Sequence, residues 1–148
     1  MSLQLLLVND QRKYLEAYER IACDIGFSEI CLTQTTTDAR ELIRTKHFDA
    51  AVIDLNLDPE YPDRAEGLEL IRELHEQQPD CLIMAYTKHL EQQGVDYDIQ
   101  SLRAGATDFI CENWFGMSHE QLLKLKLKIW FGHLSAPANT TKPILAGV

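Results

Sequence analysis

The stretch Phe48–Leu55 reads FDAAVIDL, and from Ala50 to Ile53 it carries four apolar residues in succession before Asp54. A strand with one wet face alternates apolar and polar residues; an unbroken apolar run is the mark of a strand covered on both faces. Strands of that kind belong to parallel sheets flanked by helices, so the neighbouring segments should alternate between strand and helix. They do. Leu3–Val8 (LQLLLV), Phe27–Thr33 (FSEICLT), Cys81–Tyr86 (CLIMAY) and Ala106–Cys111 (ATDFIC) are four more runs of strand length.

Between them lie amphipathic stretches. Gln11–Ile25 places Tyr14, Ala17, Tyr18, Ile21, Ala22 and Ile25 at helical spacing, with Asp10 as a candidate N-cap and Gly26 as a stop. Ala39–Thr45 follows possible caps at Thr36, Thr37 and Asp38, and turns Leu42 and Ile43 inward. Gly67–Gln78 is closed by Pro79, and Asp96–Ala104 by Gly105. The last segment is ambiguous: Leu123–Ile129 (LKLKLKI) alternates with period two, as a strand would. Yet Ser118 with Gln121 fits a capping box, and Leu122, Leu125 and Ile129 recur at helical spacing, so a covering helix is expected.

Five such repeats predict an α/β fold: an open five-stranded parallel sheet, doubly wound, as a single domain over residues 3–134. Residues 135–148 hold Pro137, Pro143 and small residues, and are expected to form a mobile tail. The 148-residue length suits one domain with its own core, and 45% hydrophobic with 25% charged residues excludes a disordered or fibrous chain. Fourteen basic residues against 23 acidic ones leave a net charge of −9, which disfavours nucleic acid. With no run long enough to span a bilayer and no basic leader before Asn9-Asp10, a cytoplasmic protein is expected. Cys23, Cys31, Cys81 and Cys111 form no CxxC pair and read as structural thiols.

In such sheets ligands bind outside the carboxyl ends of the strands. Those ends carry Asn9-Asp10, Asp54-Leu55-Asn56, Thr87-Lys88 and Cys111-Glu112. Asp10 and Asp54 should therefore meet at one crevice. Two carboxylates and a carbonyl suit a hard cation such as Mg²⁺, which would offset their repulsion and leave Asp54 ionised as a nucleophile. Each residue also has a plainer role: Asp10 as a helix cap, Asp54 as a turn residue, Thr87 as a strand-end hydroxyl.

LLLVND, AVIDLNL, GLELIREL, LIMAYT and AGATDFI, in this order, resemble the receiver domain of two-component response regulators over about Leu3 to Leu134. The resemblance implies a flavodoxin-like sheet of order 2-1-3-4-5. It implies that Asp54 accepts a phosphoryl group from a phosphohistidine on a sensor histidine kinase or phosphotransfer protein. Asp10 and Asp54, with the backbone carbonyl of Asn56, would bind Mg²⁺. Thr87 matches the hydroxyl that contacts the phosphoryl oxygen, and Phe109 the aromatic that moves on activation.

Two positions depart from that pattern. Asn9 replaces an acid that ordinarily touches the metal through water. Glu112 replaces the lysine that pairs with the phosphoryl group; at ~4 Å and an effective dielectric near 20 such a pair is worth ~4 kcal/mol, so its reversal matters. Lys88 is a candidate substitute for the missing cation. The loop after strand five also lacks the pattern's proline, with Asn113 in its place, and Asp58–Glu66 is a long acidic loop that could cover the site.

The expectation is a stand-alone phosphoacceptor switch acting through contacts with a downstream protein target. The alternative is a degenerate receiver serving as a constitutive protein-binding module. Enzymatic turnover is not expected. A haloacid-dehalogenase-type phosphatase would want a carboxylate where Asn56 stands, no Gly-rich phosphate loop is present, and the five histidines find no Ser or Cys partner. Trp114, Phe115, Trp130 and Phe131 are expected to pack the inner side of the last helix; exposed, they would mark a homodimer or partner patch.

Overall fold

The computed structural model describes residues 2–57, 65–88, 91–92, 95–112 and 116–136. In chain order they form β1 (Gln4–Val8), α1 (Arg12–Ile25), β2 (Glu29–Thr33), α2 (Thr36–Thr45), β3 (Ala50–Asp54), α3 (Glu66–Gln77) and β4 (Leu82–Thr87). There follow β5 (Glu91–Gln92), β6 (Val95–Asp96), α4 (Tyr97–Ala104), β7 (Asp108–Cys111) and α5 (His119–Leu134). The main sheet has the order β2-β1-β3-β4-β7, all parallel, which is 2-1-3-4-5 when its own strands are counted. β5 and β6 pair as a small antiparallel ribbon that the sequence reading did not anticipate.

Strand alternation divides the core in two. Leu5, Leu7, Ala50, Val52, Met84 and Tyr86 face α1 and α5, where they meet Leu15, Tyr18, Leu123, Leu127 and Trp130. Leu6, Val8, Ala51, Ile53, Ile83 and Ala85 face the other way, onto Ile43, Leu70, Ile71, Leu74 and Tyr97 of α2, α3 and α4. Covering both faces explains why the strands read as continuous apolar runs.

The caps differ in detail from the sequence reading. Thr35, one residue before the expected caps, accepts from Asp38 N at α2. At α1 Asp10 does not cap; Asn9 Oδ1 accepts from Gln11 N at 2.8 Å, which leaves the Asp10 carboxyl uncommitted to the helix. Gly26 ends α1 as expected, at φ +133°. The helical assignment of α5 holds, with both bonds of the Ser118–Gln121 capping box formed. Trp130 is buried and Phe131 packs edge-to-face on Phe27 at 5.3 Å; Trp114 and Phe115 lie outside the described residues, as do residues 58–64 of the acidic loop and 137–148 of the tail. At the sheet's edge Lys126 Nζ bonds Asp108 Oδ1 at 2.9 Å and the Phe109 carbonyl at 3.1 Å, joining α5 to β7. No helix among the described residues is long and apolar enough to cross a membrane.

Candidate functional site

Asp54 is the last residue of β3 and pairs in register with Tyr86 of β4. It shares strand parity with Val52, so it emerges on the α1–α5 face of the sheet just where the strand runs out. Only 6% of it is exposed. Its Oδ1 accepts from Asn56 N at 3.0 Å, which fixes the carboxylate against the turn that leaves the strand. Asp10, after β1, is half-buried and lies near enough to act on Asp54. Burial raises the Asp54 carboxyl from 3.8 to about 8; the Asp10 carboxyl adds to the rise, while the Asn56 N–H and the Lys88 ammonium oppose it.

Asn9 is 2% exposed, and its Nδ2 is a buried donor without a hydrogen-bond partner among the described residues. Thr87, the last residue of β4, is equally buried and pairs in register with Cys111. Phe109, on β7, is half-buried against the core beneath α2, α3 and α4. Lys88 continues the parity of Met84 and Tyr86, on the same face as Asp54, with its side chain in solvent. The structure thus brings Asp10, Asp54, Asn56 and Lys88 to one mouth.

Glu112 has the parity of Ile110 and so belongs to the Asp54 face as well, but it is engaged elsewhere. Tyr14 Oη donates to its Oε1 at 2.9 Å, and His119 Nε2 stands 3.8 Å from the same oxygen. Tyr18 Oη and His119 Nδ1 are 2.8 Å apart. Tyr14, Tyr18, Tyr86 and His119 form one ring cluster, with Tyr14 and His119 centroids at 5.0 Å and Tyr86 and His119 at 5.5 Å. The sequence reading gave Tyr14 and Tyr18 only to the core and His119 to no site. Their partners lie 98 and 101 residues away, and no local spacing signals such contacts.

Gly67 is a second residue whose role the sequence did not reveal. It lies in the first turn of α3, where its N–H donates to the Leu55 carbonyl at 3.0 Å. A Cβ there would fall 2.1 Å from the Asp54 carbonyl oxygen and 2.6 Å from Leu55 Cα. The only pattern that could have flagged it is a glycine inside an amphipathic helix with no turn to make.

The family model of the response regulator receiver domain matches residues 5–115. No curated protein sequence matches the chain. Among solved structures, a CheY-like receiver domain protein from Methanospirillum hungatei is 22% identical, with a TM-score of 0.70 over 88% of this chain and 95% of its own. A two-component response regulator from Clostridium difficile is 16% identical, with a TM-score of 0.73 over 91% and 100%. A response regulator protein from Burkholderia pseudomallei, solved with a phosphorylated aspartic acid and a calcium ion, is 19% identical, with a TM-score of 0.66 over 92% and 76%.

Proposed function

The chain belongs to the response regulator receiver domain family, and on that premise we propose that Asp54 accepts a phosphoryl group, with Mg²⁺, from a sensor histidine kinase or phosphotransfer protein. The observation that carries this reading is the placement of a buried carboxyl at the end of β3, beside Asp10 and tied to Asn56.

The donor set fits the cation. Mg²⁺ takes oxygen ligands and needs only one or two carboxylates, keeping waters in its other positions. Asp10 and Asp54 would supply two, the Asn56 carbonyl would supply a third oxygen, and the Asn9 amide would lie beside them. When bound, the ion neutralises the carboxyl pair, holds Asp54 ionised and attracts the phosphoryl oxygens.

The rest falls to the chain. An Asp54 carboxylate oxygen forms the new bond to phosphorus as the bond to the donor's imidazole nitrogen breaks. Asn56 N–H orients that carboxylate, and Thr87 offers its hydroxyl to a phosphoryl oxygen. Phe109 is the aromatic whose position follows the occupancy of Thr87. The signal then passes by protein–protein contact to a downstream target, and the protein turns over no separate substrate. A cytoplasmic setting suits this role, and the charge of −9 argues against nucleic acid as the partner.

Lys88 takes the part of the cation that residue 112 lacks. It lies on the Asp54 face and already favours the ionised carboxylate. Being exposed, it is partly screened, so Lys88→Ala is expected to slow adduct formation about five- to tenfold without changing the thermal midpoint. An unchanged rate would remove Lys88 from the site.

The decisive measurement is intact mass after incubation with phosphoramidate and Mg²⁺. One phosphoryl group per chain, dependent on donor and metal, is expected. A folded protein that takes up none over hours would be a phosphorylation-independent binding module instead.

A further inference from the structure

Resting on the reading of Asp54 as phosphoacceptor, we propose that Tyr14 and His119 are positioning residues that pin the Glu112 carboxylate to α1 and α5, so that it is not free to turn toward the phosphoryl group forming on Asp54. Glu112 shares the Asp54 face by strand parity and directly follows β7, so it lies within the neighbourhood of the site. A free carboxylate there would repel an incoming phosphoryl group, whose own oxygens are negative.

The grip is built from two helices. Tyr14 comes from α1 and His119 from the first position of α5, and both reach the same oxygen of Glu112. Neither is loosely held. Tyr18, 1% exposed, fixes His119 through Nδ1, and the His119 side chain is itself only 13% exposed. In the tautomer that accepts from Tyr18, the ring carries its proton on Nε2, the atom facing Glu112. Burial and Glu112 push the Tyr14 hydroxyl upward, so it remains a donor at neutral pH. Tyr86, the register partner of Asp54, completes the same ring cluster, so one packed unit supports both the acceptor and the latch.

The assignment explains how a receiver can keep Asp10, Asp54, Asn56 and Thr87 while carrying a glutamate where the family has lysine. The glutamate is tied down as a bracket between α1 and α5.

The test is a double-mutant cycle on the rate of adduct formation, read by intact mass with phosphoramidate and Mg²⁺. Tyr14→Phe keeps the ring and removes only the hydroxyl. It is expected to slow the reaction about five- to tenfold at low ionic strength. The defect should shrink in 1 M salt, where the screening length falls to about 3 Å. In a Glu112→Gln background the same substitution should have no effect, because there is no charge to hold back. His119→Gln should follow the same pattern and serves if Tyr14→Phe folds poorly. A merely structural Tyr14 would give a defect that salt and Glu112→Gln leave in place, and that outcome overturns the proposal, as does a Tyr14→Phe rate equal to wild type. If neither wild type nor any variant takes up a phosphoryl group, the phosphoacceptor reading itself falls, and the latch with it.

Discussion

Asp54→Asn is expected to abolish the phosphoryl adduct and, in the metal-free protein, to raise stability by about 2–4 kcal/mol near pH 7. The two effects have one origin. A carboxyl with 6% exposure next to Asp10 is costly to ionise, so its proton is released in the folded state only near pH 8, against 3.8 in the unfolded chain. Between those values the folded state binds the extra proton. The contribution of this one carboxyl to wild-type stability is therefore full below pH 4, falls as pH rises towards 8, and levels off above it. Asparagine keeps the oxygen that accepts from Asn56 N and removes the ionisation, so the gap between variant and wild type should widen with pH across that window. Mg²⁺ at a hundredfold excess over its Kd should restore about 2.7 kcal/mol to the wild type alone. Urea unfolding in EDTA at several pH values checks the sign; a variant less stable than wild type at pH 8 would refute this account of the site.

Gly67→Ala is the second change of large effect, expected to cost about 3 kcal/mol and to slow phosphorylation about a hundredfold. The added methyl would sit 2.1 Å from the Asp54 carbonyl oxygen and 2.6 Å from Leu55 Cα. Both are backbone atoms, so no side chain can rotate aside. Either α3 retreats and gives up the bond from Gly67 N to Leu55 O, or the end of β3 moves and strains the bond from Leu55 N to Tyr86 O, 2.9 Å long. In the second case Asp54 itself is displaced. Chemical denaturation measures the first cost and the rate of adduct formation the second; a Gly67→Ala protein with normal stability and rate would show that the close approach is dispensable.

How far the site was legible from sequence follows from the range of the interactions involved. The strands were legible because burial on both faces leaves a local record, as in Ala50 to Ile53, whereas their order in the sheet came only with the family resemblance. The carboxyl ends gave Asp10, Asp54, Asn56 and Thr87, since a residue's position on a strand fixes where it emerges. The helix α5 could be told from a strand by its capping box despite the alternating lysines. The ribbon of β5 and β6 was not legible, because two residues per strand leave no period to detect. Nor were the partners of Glu112, which depend on how α1 and α5 pack side by side. Its charge was legible but its direction was not, and the direction changes its meaning from repulsion to attachment.

The bond from Lys126 to the Phe109 carbonyl has a consequence for solubility. β7 is an outer strand of an open sheet, and such a strand invites another chain to pair with it. Here an ammonium group already occupies a main-chain oxygen of that strand, and the charged pair of Lys126 with Asp108 sits beside it. An approaching strand would have to displace the lysine from both partners to pair at Phe109, so a single side chain hinders edge-to-edge aggregation along β7.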